Sequence, residues 1–182
     1  MSTVYFREEQ PVKQTFIPLL LIPAWLITAT VFGWGFYEQL VKGKPWGDNP
    51  MSDTALLLTG IAVIAGIGIL IAILFAGTLI TEVRADGFYY KFSPFINKMR
   101  RIPLEQIATA EVKKYSPLLE FGGWGYRRSP FRRTTAYNIS GNKGVLITLK
   151  TGRRIMFGTQ RMEEMKKAVD RMLSVQQDKY NY

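Results

Sequence analysis

Hydrophobic positions fall along this chain in two long uninterrupted blocks, followed by a region in which apolar and polar residues alternate. Between Lys13 and Glu38 there is no charged residue, and the run from Phe16 to Tyr37 reads FIPLLLIPAWLITATVFGWGFY. At a rise of about 1.5 Å per residue, that run is long enough to cross a hydrocarbon core of about 30 Å. A second uncharged stretch lies between Asp53 and Glu82, with Thr as its only polar side chain. It exceeds the roughly 20 residues that a span requires, so its end belongs to the next element. The pattern predicts transmembrane helices at 16–37 and 54–77, joined by a mixed segment at 38–53 and preceded by a short N-terminal segment at 1–15. Pro18 and Pro23 each remove a backbone donor, which predicts a kink or a late start in the first helix.

Core helices of a soluble protein are the alternative for both blocks, but the remaining polar sequence is too short to wrap two of them. A cleaved signal peptide predicts a positive leader and a shorter apolar run. Here Arg7 and Lys13 are balanced by Glu8 and Glu9, and the block ends in Trp34, Phe36 and Tyr37, side chains that favour the membrane–water interface. The block reads as a retained span.

After the second block the apolar period becomes two, the signature of strands. Phe88, Tyr90 and Phe92 alternate with Tyr89, Lys91 and Ser93 behind Ala85-Asp86-Gly87, a turn that reverses the strand arriving from Leu79 onward. Further strands are predicted at 98–104, 107–115, 134–139, 144–150 and 153–158, the last two joined through Thr151-Gly152. The period then turns helical. Met162, Met165, Val169, Met172 and Leu173 share one face of a helix at about 160–174, with Thr159 as N-cap and Glu163 and Glu164 near the positive end of its dipole. The expected fold is α+β: a two-helix transmembrane hairpin, then a seven-stranded antiparallel barrel or sandwich at 78–175 closed by a C-terminal helix, and a tail at 176–182.

Charge sets the expected orientation. Residues 82–182 carry 20 Lys or Arg against 9 Asp or Glu, and the local signal beside the second span is Arg84, Lys91, Lys98, Arg100 and Arg101. The 38–53 loop has only Lys42 and Lys44 with Glu38, Asp48 and Asp53. Positive segments stay on the cytoplasmic side, so both termini are expected in the cytoplasm and the loop outside.

The 182 residues include no His and no Cys. This excludes His–Ser and Cys–His nucleophilic pairs and the ordinary zinc, haem and iron–sulfur ligand sets. The adjacent carboxylates Glu8/Glu9 and Glu163/Glu164 fit solvated positions and give no support to acid–base catalysis. Neither predicted span contains an ionisable residue, which argues against transport by this chain alone. No catalytic, cofactor or metal site is expected, and no small-molecule substrate.

Several stretches carry a resemblance. Gly122-Gly123-Trp124-Gly125-Tyr126-Arg127, then Ala136 to Val145 (AYNISGNKGV), Thr151-Gly152-Arg153-Arg154-Ile155 and Gly158-Thr159-Gln160 resemble the signature of small bacterial membrane proteins with a pleckstrin-homology-like (PH-like) domain. The resemblance implies a PH-like fold over about 80–175, anchored in the bacterial cytoplasmic membrane. It transfers no catalytic motif and no phosphoinositide site.

The segment 122–133, GGWGYRRSPFRR, is where glycine, aromatic and basic residues coincide. Arg127, Arg128, Arg132 and Arg133 beside Trp124, Tyr126 and Phe131 suit an anionic lipid surface or a protein partner, with rings at headgroup level and guanidinium groups on phosphates. Trp124 alternatively plugs one end of the sheet structure. Gly68, Ala72 and Ala76 form a small-residue stripe in the second span, suited to packing against the first helix or against a partner's helix. Basic and aromatic residues together also raise nucleic-acid binding, but no basic recognition helix is visible and the positive charge is already explained by topology. Gly141-Asn142-Lys143-Gly144 lacks P-loop spacing and reads as a turn.

The expected partners are membrane lipids and a protein partner or second copy. Three functions follow: a scaffold or accessory subunit binding a protein at the cytoplasmic face, a sensor of anionic lipid through Trp124 and the Arg127–Arg133 segment, and an auxiliary subunit of a large complex docked through its hairpin.

Overall fold

Residues 4–11, VYFREEQP, alternate cleanly between inward and outward positions, but the inward set is Phe6, Glu8 and Gln10. Two polar side chains in three hide the strand from a search for apolar period two. In the computed structural model, which describes residues 2–15, 17–129 and 133–180, these residues form strand β1 (Val4–Pro11). The segment at 1–15, expected as a short N-terminal segment outside the domain at 78–175, therefore supplies the first strand of the folded unit.

Helix α1 (Ile17–Phe36) continues into a π-helical turn at Tyr37–Val41, and α2 covers Asp53–Phe75. Strands β2 (Thr78–Arg84), β3 (Gly87–Ser93) and β4 (Ile96–Pro103) follow. Next come β5 (Ile107–Lys114), the short helix α3 (Pro117–Phe121), β6 (Gly125–Arg128) and β7 (Thr134–Asn138). The chain ends with β8 (Lys143–Leu149), β9 (Arg154–Gly158) and α4 (Met162–Tyr180). It divides into two compact units, the helical pair within Lys13–Ala76 and the segments that flank it.

The flanking unit contains two sheets. One is an antiparallel meander in the order β1-β2-β3-β4, and the other runs β5-β8-β9-β7-β6. The expected seven-stranded antiparallel barrel or sandwich is thus corrected in its closure, strand number and pairing: the two sheets do not close into a barrel, nine strands are present among the described residues, and β7 pairs with β9 in parallel. The extra strands are β1, masked by its polar inward positions, and β6, whose glycine-rich approach lacks alternation.

An aromatic layer fills the space between the sheets. Phe88 and Tyr90 of β3 lie 4.7 and 4.8 Å from Phe157 of β9, and Tyr90 lies 5.2 Å from Tyr137 of β7. Phe92 meets Tyr137 edge-on at 5.8 Å. Such pairs add about 0.5–1.5 kcal/mol each beyond their area burial. Helix α4 covers β1, β2, β5 and β8 with Met165, Val169 and Met172, all buried.

Glu8, expected in solvent, is buried and serves the start of α4. Its carboxylate accepts from the Thr159 hydroxyl at 2.6 Å and from the Gln160 backbone N–H at 2.9 Å. Thr159 Oγ1 in turn accepts from Arg161 N at 3.1 Å. Helix α4 begins at Met162, so Thr159, expected as its N-cap, lies in the turn before it; that turn is held by a strand about 150 residues earlier, and the Glu8 carboxylate sits near the positive end of the dipole. Gln10 Nε2 donates to the Gly158 carbonyl at 2.9 Å, tying β1 to the end of β9.

In the helical unit, Phe32 and Phe36 pack onto Gly60, where a Cβ would lie only 2.3 Å from the Phe36 ring. Trp25 Nε1 donates to the Ile64 carbonyl at 2.9 Å. At the turn, Gln39 Nε2 bonds both the Met51 carbonyl (2.7 Å) and the Asp53 carboxylate (2.8 Å), and Ser52 caps α2 through Ala55 N. Pro23 is accommodated inside α1.

Replacing Glu8 with Ala leaves the Thr159 and Gln160 donors without their acceptor, and a loss of about 2–3 kcal/mol is expected. Chemical unfolding of the full chain in detergent measures it. Glu8→Gln, which retains one acceptor oxygen, should lose less, and equal stability of Glu8→Ala and wild type would show that the contact does not hold α4 in place.

Candidate functional site

Strand β6 is the edge of the five-stranded sheet, with Tyr126 opposite Tyr137 and Arg128 opposite Thr135. Because side chains alternate along a strand, Tyr126 and Arg128 share one face and Arg127 occupies the other. Tyr126 stacks on Tyr137 at 5.2 Å, so it continues the inter-sheet aromatic layer outward to a position where it is 54% exposed. Burial among these rings holds the Tyr137 phenol well above its ordinary value, pushed up to about 12.

A second contribution comes from the β8–β9 turn. Gly152 adopts φ +79°, and the turn is closed by Leu149 N to the Arg153 carbonyl at 2.8 Å and Gly152 N to the Leu149 carbonyl at 2.8 Å. The parallel pairing of β7 with β9, Thr134 opposite Arg154, brings this turn beside the start of β7. The result is a groove of about 440 Å³ lined by Tyr126 and Arg128, by Arg133 and Thr135, and by Thr151, Gly152 and Arg153.

Among the described residues three guanidinium groups line this groove and no carboxylate does. Other arginines of the same unit are neutralised: Arg7 and Arg84 reach Glu82 at 3.0 and 2.5 Å, Arg101 reaches Asp86 at 3.1 Å, and Arg161 pairs with Glu164. Among the described residues Arg128, Arg133 and Arg153 have no acidic partner within ion-pair distance. Arg, Thr, Tyr and Gly side chains supply no metal ligand of ordinary affinity, whereas planar guanidinium forks with hydroxyls suit a phosphate or carboxylate.

The expected site residues separate. Tyr126, Arg128 and Arg133 line the groove, while Arg127 turns away and donates from Nε to the Trp124 carbonyl at 3.1 Å. Trp124 is half-buried, and its indole N–H donates to the Gly141 carbonyl at 2.9 Å, which joins the entry of β6 to the β7–β8 turn. Phe131 and Arg132 lie outside the described residues. Sequence reasoning missed Arg153, Thr135 and Thr151. Thr151-Gly152 was legible as a turn, but only the parallel β7–β9 pairing carries it to β6.

Asn138 holds this arrangement together from beneath. It is fully buried, its Oδ1 accepts from Gly125 N at 2.8 Å, and its Nδ2 donates to the Tyr115 hydroxyl at 2.8 Å.

One further residue lies at the rim. Phe95, 69% exposed, is 6.4 Å from the Tyr126 ring. It sits in the β3–β4 turn, and since Ser93 pairs with Thr78 and Thr78 with Pro11, that turn occupies the end of the meander where the chain leaves for α1 and returns from α2.

In the helical pair the three residues of the small-residue stripe have different surroundings. A Cβ on Gly68 would lie 3.5 Å from Trp25 of α1, Ala72 is exposed on α2, and Ala76 is the C-cap beyond the helix. Gly68 and Ala72 line a shallow apolar depression with Trp25, and the close approach between helices occurs at Gly60 instead.

These features define an α+β protein with two helical segments long and apolar enough to span a membrane, Leu20–Val41 and Asp53–Phe75, and a two-sheet unit bearing a basic groove. The chain belongs to DUF6141, a family of unknown function, which it matches over residues 2–176. No curated protein matches it.

Substituting Asn138 with Ala removes both of its hydrogen bonds, with an expected cost of about 2–4 kcal/mol. Trp124 lies next to the released strand, so thermal unfolding followed by tryptophan emission reads the effect. An unchanged midpoint would show that β6 is held by its ladder alone.

Proposed function

We propose that this chain is a non-enzymatic, membrane-anchored protein of the bacterial cytoplasmic membrane whose PH-like unit engages the anionic lipid surface to which it is tethered. One observation carries the reading: a groove whose three arginines have no acidic partner among the described residues shares its wall residue Tyr126 with exposed Phe95, which lies at the end of the meander where the chain passes into two apolar helices. Basic residues near an anionic leaflet contribute about 1 kcal/mol each, so three suffice to orient a unit that is already tethered.

Topology supports the same reading. The pairing of β1 with β2 requires the segments before α1 and after α2 to lie on one side of any bilayer the helices cross, and the excess of Lys and Arg in 82–182 favours the cytoplasmic side. Leu26, Ile27, Leu58, Ile61, Ile69 and Leu70 are exposed on the helical pair, an arrangement suited to lipid. A four-stranded meander, a second sheet and a C-terminal helix support the PH-like reading, and the additional strands and the parallel β7–β9 pair depart from it.

A second reading, a scaffold or accessory subunit, is favoured by α3, where Leu118 and Leu119 are 62% and 82% exposed. Adjacent large apolar side chains in solvent mark contact surfaces when they belong to a wider patch.

Full-length protein in nanodiscs tests the first reading. Amide exchange at 92–97 and 124–129 is expected to be several-fold slower in bilayers containing phosphatidylglycerol than in pure phosphatidylcholine, and equal exchange in both would overturn it. For the second, the protein extracted from its own membrane in mild detergent should carry a stoichiometric partner that is lost on Leu118→Ser with Leu119→Ser. Recovery without a partner would remove that reading.

A further inference from the structure

We infer that the groove between β6 and the β8–β9 turn is a discrete phosphate-binding site, with Arg128, Arg133 and Arg153 as its cationic walls and Thr135 and Thr151 as hydroxyl donors. The inference deepens the lipid-surface reading and rests on it only for the source of the phosphate.

Three chain segments, at 128, 133–135 and 151–153, deliver these groups to one place. Three like charges that converge without a carboxylate repel one another, and a bound anion removes that cost. Glu82 performs this service for Arg7 and Arg84 elsewhere in the unit, so its absence here is local to the groove.

Backbone geometry points the same way. Arg133 adopts φ +42°, the left-handed region that an L side chain occupies at a cost of order 1–3 kcal/mol, and such residues cluster at ligand clamps.

The groove also has a shape that selects among anions. Thr135 is only 9% exposed, so a neutral donor lies on the floor while the guanidinium groups stand exposed around it. At about 440 Å³ the space falls within the range of small-ligand sites and exceeds what a bare phosphate fills. Tyr126 supplies an apolar wall that leads toward Phe95. A phosphate ester with a glycerol-like extension satisfies both ends, and a lipid headgroup and a free phosphate share the chemistry the arginines recognise.

Full-length protein in a nonionic detergent is titrated in separate arms with inorganic phosphate and with water-soluble dihexanoyl phosphatidic acid. At least one arm is expected to saturate, and Arg128→Gln combined with Arg153→Gln should weaken binding by about tenfold or more. Arg127→Gln, which removes a neighbouring charge directed away from the groove, should change it less than twofold. Both groove side chains are exposed, so unfolding midpoints of the variants should match wild type. Tighter binding of the lipid assigns the site to headgroups, and equal binding in the two arms assigns it to the phosphate group itself.

The site is overturned if neither arm saturates, if the double variant binds as wild type does, or if Arg127→Gln costs as much as the groove substitutions. Exchange protection on anionic nanodiscs that survives in the double variant would leave the lipid-surface reading standing without the site. Saturable phosphate binding with no bilayer protection would do the reverse.

Discussion

Pairing of Val4–Pro11 with Thr78–Arg84 is the constraint on which the rest of the molecule depends. It closes the chain across the whole helical pair, so α1 and α2 form an insertion between two neighbouring strands. The bond from Val12 N to the Gly77 carbonyl at 2.9 Å seals the point of insertion. The strand also delivers Glu8 to the start of α4 and Gln10 to the end of β9. One polar strand thereby links the first sheet, the second sheet and the closing helix, and its buried polar groups are specific because few partners can satisfy them.

A single aromatic layer then connects the core to the surface. Phe88, Tyr90 and Phe92 on one sheet interleave with Tyr137 and Phe157 on the other, and Tyr126 extends the series past the sheet edge. The groove is accordingly built on a rigid base. Its side walls come from an edge strand held by Asn138 and from a hairpin turn held by its own backbone bonds. Rigid support matters because bidentate recognition of an oxyanion requires guanidinium planes at fixed positions.

Charge is distributed unevenly across the unit. Glu82, buried at 1% exposure, is held by Arg7 and Arg84, and Asp86 by Arg101, whereas Arg128 in β6, Arg133 before β7 and Arg153 in the β8–β9 turn converge with no acidic partner among the described residues. The first arrangement stabilises the fold, and the second leaves electrostatic attraction available to something outside the protein.

Elements whose signal is local were legible in the sequence. The two apolar helices follow from uninterrupted runs, β3, β8 and β9 from apolar alternation, the turn at Thr151-Gly152 from its residue types, and α4 from a helical stripe with Thr159 before it. The Trp124–Arg133 segment was legible as a coincidence of aromatic and basic residues, and part of it lines the groove. Strand β1 was not, because two of its three inward residues are Glu8 and Gln10 and their partners lie about 150 residues away. Nor was the membership of the groove. Which of Arg127 and Arg128 faces it depends on the pleat of β6, and the presence of Arg153 depends on β9 running parallel to β7. Composition and periodicity determined which elements form; long-range pairing decided which charges meet, because register and strand order are properties of the assembled sheets and of no single segment.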